Sequence, residues 1–196
     1  MVKIDAILDR FQLERDIRDG WISRKMHPSF PQIALLCYTK KAQIENHWTK
    51  ETLNARCAIY NMHTLEVFGR GMPKFMNLNQ PGAPEIELDD PVWYSDKLDG
   101  SLIIFWQRPD GEIEAATKGA FRSDQAIEAT RHFYEEWTLD ARNEVLAALD
   151  YGMTWVGELI GPSNRVVLDY AADRIAPIGV VDNATGRLEE VSEEGP

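Results

Sequence analysis

Leu102-Ile103-Ile104-Phe105-Trp106-Gln107, then Pro109-Asp110-Gly111, then Ile113-Glu114-Ala115-Ala116-Thr117 lie near the middle of a 196-residue chain. The outer two segments are short β-rich runs, and the Pro-Asp-Gly between them supplies the backbone angles of a tight turn. Together they predict an antiparallel hairpin. On its C-terminal side, Ser123 offers an N-cap and Asp124 a carboxylate at the positive end of a helix dipole. Ala126, Ile127, Thr130, Phe133, Tyr134 and Trp137 then form an apolar stripe, so a helix is expected over 124–137. A second helix is expected over 141–149, followed by strands at Thr154–Ile160, Arg165–Tyr170 and Ile175–Val181. On the N-terminal side, strands are expected at Ile33–Tyr38, Ala55–Met62, Leu65–Phe68 and Val92–Ser95. An amphipathic helix over Ile4–Ile17, stopped by Gly20, precedes them. The order is mixed α+β, with mostly antiparallel sheets and flanking helices.

The sequence shows no internal repeat and no low-complexity linker. Residues 1–187 read as one unit, and 188–196 as an acidic tail or truncated end, with four glutamates after the turn Asn183-Ala184-Thr185-Gly186. With 44% hydrophobic and 10% aromatic residues, the chain can build a core, which excludes disorder as the whole answer. Its net charge of −11 argues against a general nucleic-acid coat. The imbalance is uneven: residues 1–100 hold 13 basic and 14 acidic side chains, and residues 101–196 hold 8 and 18. An anion pocket therefore belongs more naturally to the front half. No run reaches the roughly 18 apolar residues of a membrane span, and no apolar signal core opens the chain, so a cytoplasmic protein with no membrane partner is expected. Cys37 and Cys57 read as buried free thiols. His27, His47, His63 and His132 are scattered, so no metal-ligand set is assigned.

Lys97-Leu98-Asp99-Gly100-Ser101 places a lysine beside an acid, a glycine that permits close backbone approach, and a hydroxyl donor. Alone, such a string is equally a surface turn. Three further segments accompany it. They are Arg70-Gly71-Met72-Pro73-Lys74-Phe75-Met76-Asn77-Leu78-Asn79, Thr117-Lys118-Gly119 with Ser123-Asp124-Gln125-Ala126, and the run from Trp155 through Gly157-Glu158, Pro162-Ser163-Asn164-Arg165-Val166-Val167 to Tyr170. In this order they resemble the phage-type ATP-dependent RNA ligases that repair broken tRNA, members of the covalent lysyl nucleotidyltransferases. Their elements read K-x-D-G, R-x-x-x-K-F-F-N-L-N, S-K-G with S-E-Q-A, and F-E-F-x-x-P-x-N-R-I-V-x-x-Y. The resemblance runs from Tyr38 to Gly186, about three quarters of the chain.

The resemblance implies a nucleotidyltransferase (ligase adenylation) fold and an adenylylation in which Lys97 attacks the α-phosphate of ATP. A free lysine is only about 0.1% neutral at physiological pH, so a cationic surround that lowers its pKa is part of the chemistry. Arg56, Lys74 and Lys118 are the residues for that surround. Arg56 would contact the phosphates, Lys74 the pyrophosphate and Lys118 the adenylate, with Tyr38 near the phosphates. Asp99 would orient the nucleophile loop. Glu158, a carboxylate in an apolar strand, would bind the ribose hydroxyls or metal-bound water. Mg²⁺ or Mn²⁺ follows from the triphosphate chemistry. The partners implied are RNA ends, a 5′-phosphate and a 3′-hydroxyl, as of tRNA, in the host cytoplasm if the gene is a phage's.

The family's glycine after the arginine is Cys57 here. Its E-G-x-V and K-x-K strands and its C-terminal domain are not visible, and no lysine occurs after Lys118. Part of a split or truncated ligase, completed by a second polypeptide, is therefore expected. A non-catalytic module that holds ATP or an RNA end is the alternative. A DNA ligase or capping guanylyltransferase of the same superfamily fits the K-F-x-N-L-N and P-x-N-R elements less well.

Overall fold

The computed structural model describes residues 1–83, 85–87, 89, 91 and 96–189. After a 3-10 turn at Ile4–Ala6 come α1 (Arg10–Arg18), β1 (Ile22–Met26), β2 (Ile33–Tyr38), α2 (Lys40–Ile44), α3 (Lys50–Asn54), β3 (Arg56–Asn61) and β4 (Val67–Arg70). The second half holds β5 (Ser101–Gln107), β6 (Ile113–Thr117), α4 (Asp124–Glu135), α5 (Leu139–Asp150), β7 (Met153–Ile160), a 3-10 turn at Pro162–Asn164, β8 (Arg174–Asp182) and β9 (Leu188–Glu189). The strands form two sheets, ordered β1-β2-β3-β4 and β6-β5-β7-β8-β9, and every pairing is antiparallel. The α+β architecture expected from the sequence is what the chain adopts. No helix among the described residues is long and apolar enough to cross a membrane.

Alternation along the strands divides the interior into three cores. Ile33, Leu35 and Ile59 of the first sheet meet Ile104, Trp106 and Val156 of the second. Ala34, Leu36 and Tyr60 on the other face of the first sheet pack with Ile7, Leu8 and Leu13. Ile103, Phe105 and Trp155 on the other face of the second sheet pack under Ala129, Phe133 and Val145 of α4 and α5. Both central strands are thus covered twice, and for this reason β2 reads as an unbroken apolar run. Each of the buried Val, Leu, Ile and Phe side chains among these contributes about 1.5–3 kcal/mol.

Two local expectations change. The N-terminal apolar pattern does not form one helix over Ile4–Ile17. Asp9 is extended and its carboxylate accepts the Gln12 N–H at 2.8 Å, which starts α1 afresh and leaves Phe11 exposed. Arg165–Tyr170 is a loop, with Val166, Val167 and Leu168 all exposed, because apolar composition alone carried that strand expectation. The expected strand at Val92–Ser95 and the acidic stretch from Glu190 lie outside the described residues. Leu188 and Glu189 pair with Val181 and Val180 as the last strand of the second sheet.

Two charged groups tie the sheets together. Arg70 is 1% exposed; its backbone N–H donates to Thr154 Oγ1 at 3.0 Å and its Nη2 to Asn54 Oδ1 at 2.5 Å. Its Nη1 donates to the carbonyls of Asn183 and Ala184 at 3.3 and 3.4 Å. Burial lowers its pKa, and the nearby Asp182 opposes that shift. Farther off, at the β1–β2 turn, His27 Nδ1 accepts the N–H groups of Ser29 and Phe30 at 3.1 and 3.2 Å. The ring proton is therefore on Nε2, which lies 3.2 Å from Glu114 Oε1. Arg108 Nη1 reaches the other carboxylate oxygen at 3.6 Å and also pairs with Asp110.

Candidate active site

Sheet register brings the sequence-selected residues to the opposite end of the sheet pair. Tyr38 ends β2, and Arg56 opens β3 opposite Cys37. Lys118 follows β6, whose Thr117 pairs with Ile103, while Ser101 and Leu102 of β5 pair with Leu159 and Glu158 of β7. Between Arg56 and Ala58 the pairing skips a residue, so Cys57 is a bulge with φ +60°. That left-handed backbone accounts for the glycine expected at this position. Here a thiol occupies it, fully buried and donating to the Thr117 carbonyl at 3.1 Å. Both cysteines are buried and free, and burial pushes both thiols up.

Arg56, Lys74 and Lys118 form a group of like charges. Lys118 Nζ lies 3.5 Å from the Tyr38 hydroxyl and 4.9 Å from its ring centre. The Tyr38 ring meets Trp48 edge-on at 5.2 Å, and Lys74 Nζ stands 5.4 Å from the Trp48 ring. The Lys74 backbone is fixed by its N–H to the Leu53 carbonyl at 2.7 Å, and its ammonium donates to the Phe75 carbonyl. Arg56 lies 5.1 Å over the Phe75 ring and donates to the Met72 carbonyl at 3.3 Å, while its Nε is buried without a hydrogen-bond partner. Burial and then the charges of Arg56 and Lys118 hold the Lys74 ammonium below the usual lysine pKa. Lys25 reaches in from β1 to the Gly119 carbonyl at 2.6 Å. The sequence reading did not mark Trp48 or Lys25. Their only signal was proximity to Tyr38 and Lys118, which requires the fold.

The Lys97–Ser101 segment faces this group. Gly100 packs against β7 so closely that a Cβ would stand 2.1 Å from the Leu159 carbonyl oxygen, which restricts the position to glycine. The Asp99 carboxylate accepts the N–H groups of Val167 and Leu168 at 2.5 and 2.7 Å, which lowers its pKa. Ser101 Oγ donates to Asn164 Oδ1 at 3.2 Å, and the buried Asn164 amide donates to the Leu159 carbonyl at 2.6 Å. Asn164 therefore organises the turn, whereas the exposed Arg165 pairs with Asp169 at 3.0 Å.

Glu158 is half-buried, and burial raises its pKa. The Gly100 N–H, Lys97 and Arg56 oppose that rise, so the carboxylate lies within electrostatic reach of both the Lys97 segment and Arg56. The Lys97 side chain is exposed and interacts by charge with Glu158 and Asp99. Tyr38, Arg56, Lys74, Lys97, Asp99, Lys118 and Glu158 thus all lie at one end of the sheets. No cluster of three or more His, Cys, Asp or Glu side chains suited to a metal occurs among the described residues. Both N–H groups that hold Asp99 bond to one oxygen, Oδ2, so a divalent ion would be met by ligand phosphates, Glu158 and the other Asp99 oxygen.

A family model described as RNA ligase matches residues 54–195. The chain belongs to the phage-type RNA ligase family.

Proposed function

We propose that this chain is the adenylyltransferase part of an ATP-dependent RNA ligase, with Lys97 as the nucleophile. The observation that carries the reading is the convergence of Arg56, Lys74, Lys118 and Tyr38 opposite the Lys97–Gly100 turn, with Glu158 between them, in a chain of net charge −11. Like cations held together at a cost to the apo protein suit a ligand with about four negative charges. Arg56, Lys74 and Lys118 would hold the phosphates, and Tyr38 would orient Lys118. Lys97, having lost a proton, forms an N–P bond to the α-phosphate as the bond to pyrophosphate breaks. The resulting AMP passes to an RNA 5′-phosphate, and attack by a 3′-hydroxyl seals the ends and releases AMP. A divalent ion such as Mg²⁺ or Mn²⁺ would be met by Glu158 and would supply neutralisation of the departing pyrophosphate. Cleaved tRNA in the cytoplasm is the substrate we favour.

Incubation with α-labelled ATP and Mg²⁺ or Mn²⁺, alone and with a protein carrying the K-x-K strand, tests this. Covalent label is expected on the wild-type chain and should fall at least about a thousandfold in Lys97→Ala. Label that survives in Lys97→Ala overturns the assignment. ATP affinity with no label under any condition favours the binding module.

A further inference from the structure

The turn that carries Lys97 is held from outside by the exposed loop after the Pro162–Asn164 turn, and one contact comes from an unassigned side chain. The Asp99 backbone N–H donates to the Tyr170 hydroxyl at 3.0 Å, across 71 residues of sequence. The Asp99 carboxylate accepts from Val167 and Leu168, three and two residues before Tyr170. Asp99 is thus held at two points by one short stretch, its amide by a phenol and its carboxylate by two backbone amides. Gly100, the next residue, has no room to shift toward β7. Lys97, two residues before Asp99, has no hydrogen-bond tether among the described residues; its side chain is exposed and interacts by charge with Glu158 and Asp99. Its backbone is therefore held on the downstream side through Asp99.

We infer that Tyr170 is a positioning residue for Lys97, its hydroxyl acting on the Asp99 amide to hold the nucleophile turn in the attacking geometry. The inference rests on the reading of Lys97 as nucleophile. A hydroxyl that fixes geometry without touching ATP alters the rate of attack and leaves nucleotide affinity alone. Removing it leaves the ring in place and the Asp99 N–H without its acceptor, a change comparable to one neutral hydrogen bond.

The test is Tyr170→Phe in the full chain, followed by single-turnover transfer of label from α-labelled ATP and by amide hydrogen exchange of the segment containing residues 97–101. The expected result is a rate of label formation about tenfold slower at saturating ATP, with an unchanged ATP concentration for half-maximal rate. Exchange of the segment should be faster, and the melting temperature should stay within about 2 °C of wild type. Because Asp99→Asn acts on the same turn, the double variant should be no slower than the slower single variant. A wild-type rate in Tyr170→Phe overturns the inference. So does a parallel loss of rate, ATP affinity and melting temperature, which would mark a merely structural residue. Label retained by Lys97→Ala is a different failure. It removes the reading of Lys97, while the exchange measurement still decides whether the hydroxyl holds the turn.

Discussion

At one end of the sheet pair His27, Glu114, Arg108 and Asp110 form a closed set in which the buried carboxylate has partners on both oxygens. At the other end Arg56, Lys74 and Lys118 stand together, with Glu158 in electrostatic reach of Arg56, and burial followed by the like charges lowers the Lys74 pKa. The same strands, β2, β5 and β6, lead to both ends, so the contrast does not come from a different scaffold. It comes from whether opposite charges are supplied within the chain. A set in which the buried carboxylate is met by cationic and N–H partners on both oxygens stabilises the fold. An open set of like charges destabilises the apo protein and is relieved by an anion.

Breaking the closed end should give the largest effect. Glu114→Ala leaves the His27 Nε2–H and one side of Arg108 without a partner, and should lower unfolding free energy by about 3 kcal/mol in a urea titration. ATP affinity should stay within about twofold of wild type, since Glu114 lies at the opposite end of the sheets from Arg56, Lys74 and Lys118. A loss below about 0.5 kcal/mol would mean that the closed set does not hold the sheets.

At the open end the two readouts should exchange places. Arg56→Met is expected to weaken ATP binding by about tenfold to a hundredfold in calorimetry, with stability changed by less than about 1 kcal/mol. Removing one of three like charges offsets the lost bond to the Met72 carbonyl. If Arg56→Met unfolded as readily as Glu114→Ala, the two ends would not differ in the way described.

The smallest effect sharpens the comparison by pH. Lys74 has a folded pKa below its unfolded one, so between the two values the unfolded chain binds more protons and stability rises with pH. The gain begins below the ordinary lysine pKa of about 10.4 and is complete above it. Lys74→Met should flatten that part of the stability profile. Bound ATP should flatten it too, because phosphate restores the preference for the ammonium form. An unchanged alkaline profile in Lys74→Met would leave the cation group without its predicted strain.

Much of the fold was legible because several of its strands are short and buried on both faces. The sequence boundaries at Ile33–Tyr38 and Ile113–Thr117 coincide with β2 and β6. β1 was invisible for the converse reason: Ile22-Ser-Arg-Lys-Met buries one residue fully and is held by pairing with β2. The five-residue helices α2 and α3 depend on the caps of Thr39 and Thr49, too short a signal for periodicity to find. At the candidate site the charged residues were legible because their motifs lie in sequence. The links among them were not. The hold of Asn164 on Ser101 and of Tyr170 on Asp99 each span more than 60 residues. The Val166–Leu168 run misled because the backbone N–H groups of Val167 and Leu168 serve Asp99 in place of a neighbouring strand.

Arg70 bears on the order in which the protein can be made. Its guanidinium partners at Asn183 and Ala184 lie 113 and 114 residues downstream. During synthesis the first sheet and the Asn54 partner are available long before those carbonyls leave the ribosome. Until then a cationic side chain destined for the interior stays hydrated, and the contact between the sheets through Arg70 waits on the hairpin of β8 and β9. Gly186, with φ +77° and an added Cβ only 2.8 Å from Arg70 Nη2, leaves that late closure little steric tolerance. The hydrogen bonds of Arg70 to Asn183 and Ala184, the longest in sequence among the described residues, thereby close only after the second sheet has been made.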